Sequence, residues 1–335
     1  MERRQLGTSN LQISNLSLGG MSIGPAASGH FMKGHTCTEN PHELLDAAFE
    51  LGINCIDSAD VYGDDGASER IIGEWLQSRS LRDQIVLSTK FGYASETGKG
   101  AAPERIVSCV EAALRRLKTD HIDLLQLHLQ DLETPLPLIL QTLQGQVDAG
   151  KVRFVGISNA AVYHLARAAE YGDHKDCAAF VSLQAQYNLI VRDLEREHLP
   201  FLRDRSMGLL CWSPLAGGFL SGKYSERPDA SLGRLGMDRR LKIYDKPRNW
   251  QILDALRTVA NRHDARPAQV ALAWVLAQPG VTSVIVGARH AGQLAESVQA
   301  ARLVLSSEDL NALSKASRFP IGYPYDFLRR ASGGW

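Results

Sequence analysis

The chain has 335 residues, of which 44% are hydrophobic and 22% charged, a composition typical of a globular protein with a large core. Its 37 basic residues balance its 37 acidic residues, which argues against nucleic acid or an anionic membrane as the main partner. The five cysteines are scattered without a CxxC pair, so neither a disulfide framework nor a metal site is predicted. Because the chain has neither an apolar signal core at its start nor an apolar run that could cross a bilayer, we expect a cytoplasmic protein.

The first elements predicted along the chain are a β-hairpin and a short inner strand. Two alternating segments, residues 4–6 and 11–16, are separated by the turn-forming residues 7–10 and predict the hairpin. Residues 16–18, followed by two glycines, predict the strand. A polar loop over residues 21–40 then precedes a predicted helix at residues 41–51.

From there, short apolar strands alternate with amphipathic helices. Strands are predicted at 54–57, 85–89, 122–127, 154–158, 180–184, 208–212 and 283–286, and helices at 67–78, 103–118, 137–149, 160–171, 193–205, 250–263, 267–277 and 293–301. Eight strand–helix units in a chain of this length fit a closed (β/α)8 TIM barrel better than an open sheet. A doubly wound fold is not favoured, because residues 18–24 lack the G-x-G-x-x-G spacing and no helix follows them directly. We therefore expect one barrel domain over residues 1–335, with an N-terminal hairpin and long rim loops.

Ionisable side chains follow three consecutive predicted strands, at the ends where a barrel collects its catalytic groups. Asp57 ends the second strand, with Tyr62 in the loop beyond it, and Lys90 and His128 end the third and fourth. Each has an ordinary explanation taken singly, as a turn residue, a loop residue, a surface cation or a structural histidine. Their occurrence together on one rim is what predicts a site.

These four groups would support the reduction of a carbonyl. An ammonium beside a tyrosine stabilises the phenolate and lowers a pKa that is ordinarily about 10. Asp57 would hold Lys90 charged, and His128 would donate a hydrogen bond to a substrate oxygen. Protonation of the resulting alkoxide completes a reduction only if a reduced nicotinamide or an equivalent cofactor delivers a hydride.

The sequence resembles the aldo-keto reductase superfamily through a series of short motifs in order along the chain. They are DSADVYG (57–63), STK (88–90), DLLQLH (123–128), GKVRFVGISN (150–159), QAQYN (184–188), WSPLAGG (212–218) and IVGAR (285–289). The resemblance implies a (β/α)8 barrel and NAD(P)-dependent carbonyl reduction. It also implies that Asp57, Tyr62, Lys90 and His128 form a catalytic tetrad with Tyr62 as the general acid.

The resemblance further implies a set of cofactor contacts. Ser158, Asn159 and Gln184 match positions that hold the nicotinamide carboxamide, and Trp212 matches the ring-stacking aromatic, which is tyrosine in many members. The full implied set is Gly20, Met21, Asp57, Ser158, Asn159, Gln184, Trp212, Ser213, Pro214, Leu215, Gly217, Lys223, Gly287, Ala288, Arg289, Gln293, Glu296 and Ser297.

Cofactor choice would be decided at the adenosine end of this set. Arg289 could pair with a ribose 2′-phosphate, which favours NADP(H). Gly287 and Gln293 stand where some members have basic residues, and Ser297 replaces a frequent asparagine, so NAD(H) stays open.

Substrate selectivity would reside in the rim loops 21–40 and 216–247 and in the tail after Phe319. Aromatic residues in residues 323–327 would close over the pocket, with Tyr93 and Phe31 as further wall residues. We expect a small-molecule carbonyl or alcohol substrate, aliphatic or aromatic, and leave open whether the chain is a monomer or a homo-oligomer. The alternatives are an NAD-dependent sugar or alcohol dehydrogenase, a cofactor-sensing binding subunit without significant turnover, and a barrel enzyme of other chemistry such as a lyase.

Overall fold

A hairpin closes one end of the molecule. In the computed structural model, which describes residues 1–25, 37–95, 98–175, 177, 179–224 and 241–333, β1 (Arg3–Gln5) pairs antiparallel with β2 (Gln12–Ser14). Leu6, Leu11 and Ile13 are buried against side chains from inside the barrel, among them Leu124 and Leu210. The apolar hairpin side chains therefore plug the N-terminal mouth of the barrel.

Eight parallel strands form a closed barrel, as predicted. They are β3 (Leu16–Gly19), β4 (Cys55–Asp57), β5 (Val86–Phe91), β6 (Ile122–Leu127), β7 (Val152–Ser158), β8 (Ser182–Gln186), β9 (Gly208–Trp212) and β10 (Val281–Val286). The barrel closes where Val284, Ile285 and Val286 of β10 pair with residues 16–18 of β3. Parallel pairing all round brings every strand's carboxyl end to one rim.

Helices surround the barrel. They are α1 (Pro41–Glu50), α2 (Ala67–Arg79), α3 (Pro103–Leu117), α4 (Leu136–Asp148), α5 (Val162–Lys175), α6 (His198–Asp204), α7 (Leu241–Tyr244), α8 (Pro247–Arg262), α9 (Pro267–Leu276), α10 (Ala291–Gln299), α11 (Ser307–Ala316) and α12 (Tyr325–Ser332). Three of them, α7, α11 and α12, were not among the predicted helices. Ser306 and Asp309 form a capping box at the start of α11.

The helix predicted at residues 193–205 is wrong as one continuous element. The chain forms a 3-10 turn at Asp193–Glu195 and begins a separate helix, α6, at His198. Pro200 thereby falls in the first turn of α6, where its missing N–H leaves no helical hydrogen bond unmade.

The core lies between the strands and the helices. Trp75 and Trp274 are fully buried there, and the cysteines Cys55 and Cys211 are buried as predicted. Among the described residues, no helix is long and apolar enough to cross a membrane.

The two long loops are described in part. The loop after β9 includes a 3-10 helix (Ala216–Ser221) and α7, while residues 225–240 lie outside the described residues. Of the loop at 21–40, residues 26–36, with the predicted wall residue Phe31, also lie outside them.

Candidate active site

The four ionisable side chains predicted at the rim come together in the structure. Asp57, Lys90 and His128 are at most 5% exposed, and Tyr62 is 7% exposed. The Lys90 Nζ lies 2.6 Å from the Asp57 Oδ2 and 3.4 Å from the Tyr62 Oη, and it also donates to the Ser58 carbonyl. The His128 ring meets the Tyr62 ring edge to face, with centroids 5.9 Å apart. Neighbouring strands β4, β5 and β6 thus deliver one buried cluster.

Burial and charge set the protonation of this cluster. Burial raises the pKa of the Tyr62 phenol, while Lys90 acts in the opposite, predicted direction without outweighing it. Burial opposes the charge on Lys90, but Asp57 and Tyr62 together raise the pKa of its ammonium. Burial and then Lys90 lower the pKa of His128 to about 3. At neutral pH the cluster therefore holds a neutral phenol, a charged ammonium and a neutral imidazole.

Asp57 is held by more groups than the sequence indicated. Its Oδ1 accepts hydrogen bonds from the Ser88 Oγ (2.9 Å), the Gln126 Nε2 (3.2 Å) and the Gln184 Nε2 (2.9 Å). Gln126 also donates to the Ser88 Oγ. The sequence analysis assigned no role to Ser88 or Gln126. Each stands two residues before a predicted site residue, Lys90 or His128, and therefore lies on the same face of its strand, which is the signal that could have found it.

Polar groups at the ends of β7, β8 and β9 lie beside this cluster. Asn159, in a left-handed conformation with φ of 52°, donates from Nδ2 to the Ser158 Oγ and to the His128 carbonyl. The Ser158 Oγ donates to the Gln184 carbonyl. The Trp212 Nε1 donates to the Asn159 Oδ1 at 3.1 Å. All four of the predicted carboxamide and stacking positions are therefore joined in one hydrogen-bonded group.

The turn that follows Trp212 carries further predicted cofactor residues. Gly217 and Gly218 have φ of 67° and 97°, a conformation that favours glycine. The Gly217 N–H donates to the Ser213 Oγ. Pro214 is buried, Leu215 is half-buried, and a Cβ placed on Gly218 would lie 3.5 Å from the Lys223 Nζ.

The segment from β10 into α10 brings the adenosine-end residues to the same rim. Arg289 is exposed, and its backbone N–H donates to the Gln293 Oε1. Ser297 donates to the Gln293 carbonyl, whereas Glu296 pairs with Arg266, the residue just before α9. A Cβ on Gly287 would meet no atom within 4 Å.

This segment is linked to the end of β3. The Ser22 Oγ donates to the Ala288 carbonyl at 2.9 Å. Met21 packs beside Tyr62 and Ala59, and Gly20 approaches helix α2 so closely that a Cβ would lie 2.8 Å from the Ser68 Oγ. Residues at the end of β3 thus contact both the segment after β10 and the loop that carries Tyr62.

Two predicted wall elements differ in their placement. The Tyr93 ring lies 5.4 Å from the His128 ring, beside the cluster. The tail aromatics Tyr323 and Phe327 are 87% and 56% exposed. Neither side chain is packed into the wall of a pocket.

Comparison with known proteins identifies the family to which this arrangement belongs. Residues 15–318 match the model of the Aldo/keto reductase family. The chain belongs to the aldo-keto reductases. Members of this family are oxidoreductases that act on small-molecule carbonyl substrates and generally use nicotinamide cofactors.

Three relatives illustrate the similarity. An uncharacterised oxidoreductase, YrpG, of Bacillus subtilis is 35% identical over 81% of this chain and 85% of its own. An aryl-alcohol dehydrogenase of Pestalotiopsis microspora is 32% identical over 88% of this chain and 77% of its own. A norsolorinic acid reductase of Aspergillus flavus is 30% identical over 85% of this chain and 73% of its own. This aldo-keto reductase is therefore similar to oxidoreductases along most of its length.

Proposed function

We propose that this aldo-keto reductase interconverts an aldehyde or ketone and the corresponding alcohol with NADP(H), using Tyr62 as general acid and base. The observation that carries the proposal is the buried Lys90 ammonium, 2.6 Å from the Asp57 carboxylate and 3.4 Å from the Tyr62 hydroxyl. An ammonium in this position serves a phenol that gains and loses a proton. The bound cofactor supplies or accepts the hydride.

Each member of the tetrad has a definite task in carbonyl reduction. Tyr62, whose pKa is raised by burial, keeps its proton at neutral pH and donates it from Oη to the developing alkoxide. Lys90 stabilises the phenolate that remains, and Asp57 keeps the ammonium charged and in place. His128 is a neutral imidazole because burial lowers its pKa to about 3, so it positions the carbonyl oxygen by an N–H hydrogen bond. In alcohol oxidation, the Tyr62 phenolate accepts the proton.

The rim residues fit a nicotinamide dinucleotide. Ser158, Asn159 and Gln184 would hold the carboxamide, and Trp212 offers a flat aromatic surface for the ring. The open space around Gly287 and the glycine turn after Leu215 leave room for the rest of the molecule. The remaining proposed contacts are Gly20, Met21, Asp57, Ser213, Pro214, Gly217, Lys223, Ala288, Arg289, Gln293, Glu296 and Ser297.

Preference for NADP(H) over NAD(H) is proposed from the charges near α10. Arg289 is exposed and forms no ion pair with another described residue, so its guanidinium is available to a 2′-phosphate. Glu296, a carboxylate on α10, is paired with Arg266 at 2.8 Å. That pairing reduces the repulsion between Glu296 and a bound phosphate.

We further propose aliphatic or aromatic aldehydes and ketones, or the matching alcohols, as substrates. Tyr93 beside His128, Met21 beside Tyr62, and Trp212 supply an apolar and aromatic lining. Two similar proteins carry the names aryl-alcohol dehydrogenase and norsolorinic acid reductase. A single barrel domain working in the cytoplasm is part of the same proposal, and the free cysteines suit a reducing compartment.

Replacing Tyr62 with phenylalanine tests the proposed acid. We expect Tyr62→Phe to lose about 10²- to 10⁴-fold in kcat on an aromatic aldehyde, because the proton donor is gone. The Kd for NADPH, followed by quenching of tryptophan fluorescence, should stay within about threefold, since the hydroxyl does not hold the nucleotide. The same titration with NADH should give weaker binding, and Arg289→Ala should narrow the difference between the two nucleotides.

The matched control is Tyr163→Phe, since Tyr163 lies on α5 and is 52% exposed. It should leave both kcat and Kd unchanged. Full activity in Tyr62→Phe would contradict the assignment of the acid. Tight NADPH binding by the wild-type chain without turnover on a broad carbonyl panel would favour a cofactor-sensing subunit instead.

A further inference from the structure

Asn159 is the junction of hydrogen bonds from three strands. Its Nδ2 donates to the His128 carbonyl at the end of β6 (3.1 Å) and to the Ser158 Oγ at the end of β7 (2.9 Å). Its Oδ1 accepts from the indole N–H of Trp212 at the end of β9 (3.1 Å). Both side-chain donors and one of the two acceptor sites of this amide are therefore used within the protein.

These contacts allow one orientation of the amide. The indole nitrogen is a donor only, so a flipped amide would set its NH2 group against another N–H. The same flip would place the amide oxygen against the His128 carbonyl oxygen. Because each mismatch leaves a donor facing a donor or an acceptor facing an acceptor, the indole N–H and the His128 carbonyl together select the amide orientation that the structure shows.

The orientation of the Asn159 amide decides which hydrogen-bonding groups this residue presents to a ligand. With Nδ2 used twice, Asn159 has only an Oδ1 lone pair left for a molecule on the rim. The Ser158 Oγ donates to the Gln184 carbonyl and accepts from Asn159, so it too has only an acceptor site left. The Asn159 and Ser158 side chains therefore accept N–H groups and offer no donor.

We propose that Trp212 is a positioning residue whose indole N–H locks the Asn159 amide, so that the rim recognises the NH2 group of a bound primary carboxamide. The inference rests on the proposed function in taking that carboxamide to be the nicotinamide's. The same amide orientation also affects the position of His128, because the Asn159 Nδ2 donates to the His128 carbonyl. A phenylalanine at this position would keep a flat ring but would remove one of the two contacts that oppose a flipped amide, leaving only the His128 carbonyl.

Binding of two nucleotides that differ only in the carboxamide tests the lock. In the 3-acetylpyridine analogue of NADP+ a methyl group replaces the NH2 group, and the carbonyl oxygen is kept. By calorimetry, the wild-type chain should bind NADP+ about 5- to 30-fold more tightly than the analogue, the equivalent of one or two hydrogen bonds. Trp212→Phe should reduce that ratio about fivefold or more, because the flipped amide, which presents a donor, is then opposed only by the His128 carbonyl.

The double variant supplies the control. Asn159→Ala alone should reduce the ratio as far as Trp212→Phe does, and combining the two should reduce it no further. A merely structural role for Trp212 would weaken both nucleotides equally and leave their ratio unchanged. A wild-type ratio retained in Trp212→Phe would overturn the proposal.

A second measurement is independent of nucleotide binding. In a chain labelled with 15N-tryptophan, the indole N–H signal that is missing in Trp212→Phe belongs to Trp212. Asn159→Ala should move this signal and speed its exchange with water, whereas the Trp75 indole, which donates to the Asp46 Oδ1 at 2.7 Å, should not change. An unmoved Trp212 signal would overturn the lock itself. If no variant or wild-type chain binds either nucleotide, the proposed function fails, and the indole signal alone then decides the lock.

Discussion

Asp60, which lies between Asp57 and Tyr62 in the sequence, is a partly buried carboxylic acid. Burial and then the Glu69 carboxylate raise its pKa to about 7, while Arg116, Arg105 and Lys90 act in the opposite direction. Its Oδ1 is buried and accepts no hydrogen bond from the described residues, whereas Glu69 is paired with Arg116. Arg116 therefore forms its ion pair with Glu69, and the Asp60 carboxyl stays protonated up to about neutral pH.

This acid should make stability depend on pH. An unfolded aspartate has a pKa of about 3.9, so between about pH 4 and pH 7 the folded chain holds a proton that the unfolded chain has lost. The free energy of unfolding therefore falls as the pH rises through that window, by on the order of 2–4 kcal/mol from this group. We expect Asp60→Asn to lose that much less stability than wild type between pH 4 and pH 8 in urea denaturation.

The control is an exposed acid. Asp254 is 67% exposed and pairs with Arg257 within α8, so Asp254→Asn should follow the wild-type pH dependence. An unchanged pH dependence in Asp60→Asn would show that Asp60 is ionised in the folded chain.

At the scale of elements, replacing either of two helical glycines with alanine should change stability in opposite directions. A Cβ on Gly73 of α2 would lie 2.5 Å from the Arg116 carbonyl oxygen and 2.6 Å from the Leu117 carbonyl carbon, both backbone atoms of α3. A Cβ on Gly145 of α4 would meet nothing within 4 Å. Gly73 therefore permits the close packing of α2 on α3, and Gly145 serves no such contact.

Gly73→Ala should destabilise the protein by about 1–3 kcal/mol, because the two helices must move apart. Gly145→Ala should stabilise it by about 0.5–1 kcal/mol, since alanine restricts the unfolded chain and favours the helix. Thermal or urea denaturation of both variants checks the pair. A stabilising Gly73→Ala would mean that α2 and α3 do not approach as closely as described.

At the scale of the whole molecule, the two ends of the barrel have different tasks. The carboxyl ends of the strands carry the candidate site, while the opposite end is held by the hairpin plug and by the buried carboxylate of Asp123. That carboxylate accepts from the Leu87 N–H and pairs with Arg82 and Arg153, both at 2.8 Å. It therefore ties β6 to its neighbours on both sides, far along the strand from His128.

We expect Asp123→Asn to lower the free energy of unfolding by roughly 1.5–3 kcal/mol, because two arginines lose their charged partner. Carbonyl reduction should keep its kcat and KM within about twofold, since the opposite face of a barrel contributes to stability. Asp173→Asn, which removes an exposed pair with Arg205, should cost under about 1 kcal/mol. A tenfold loss of kcat in a stable Asp123→Asn protein would show that the two ends are coupled.

The sequence by itself determined the closed barrel of eight parallel strands and the rim position of Asp57, Tyr62, Lys90 and His128. Strand and helix periodicity are local properties, and parallel alternation leaves few ways of arranging eight strands. Local pattern was less reliable at residues 193–205, where the helix breaks ahead of Pro200, and it did not indicate α7, α11 or α12. That the whole chain is a single domain stays a prediction.

Only the tertiary structure decided which groups surround the predicted ones. The donors on Asp57 come from β5, β6 and β8, and the link from Trp212 to Asn159 joins β9 to β7. The near-neutral pKa of Asp60 likewise depends on burial and on Glu69. Hydrogen-bond geometry and desolvation are properties of neighbours in space, and spacing along the chain does not specify them.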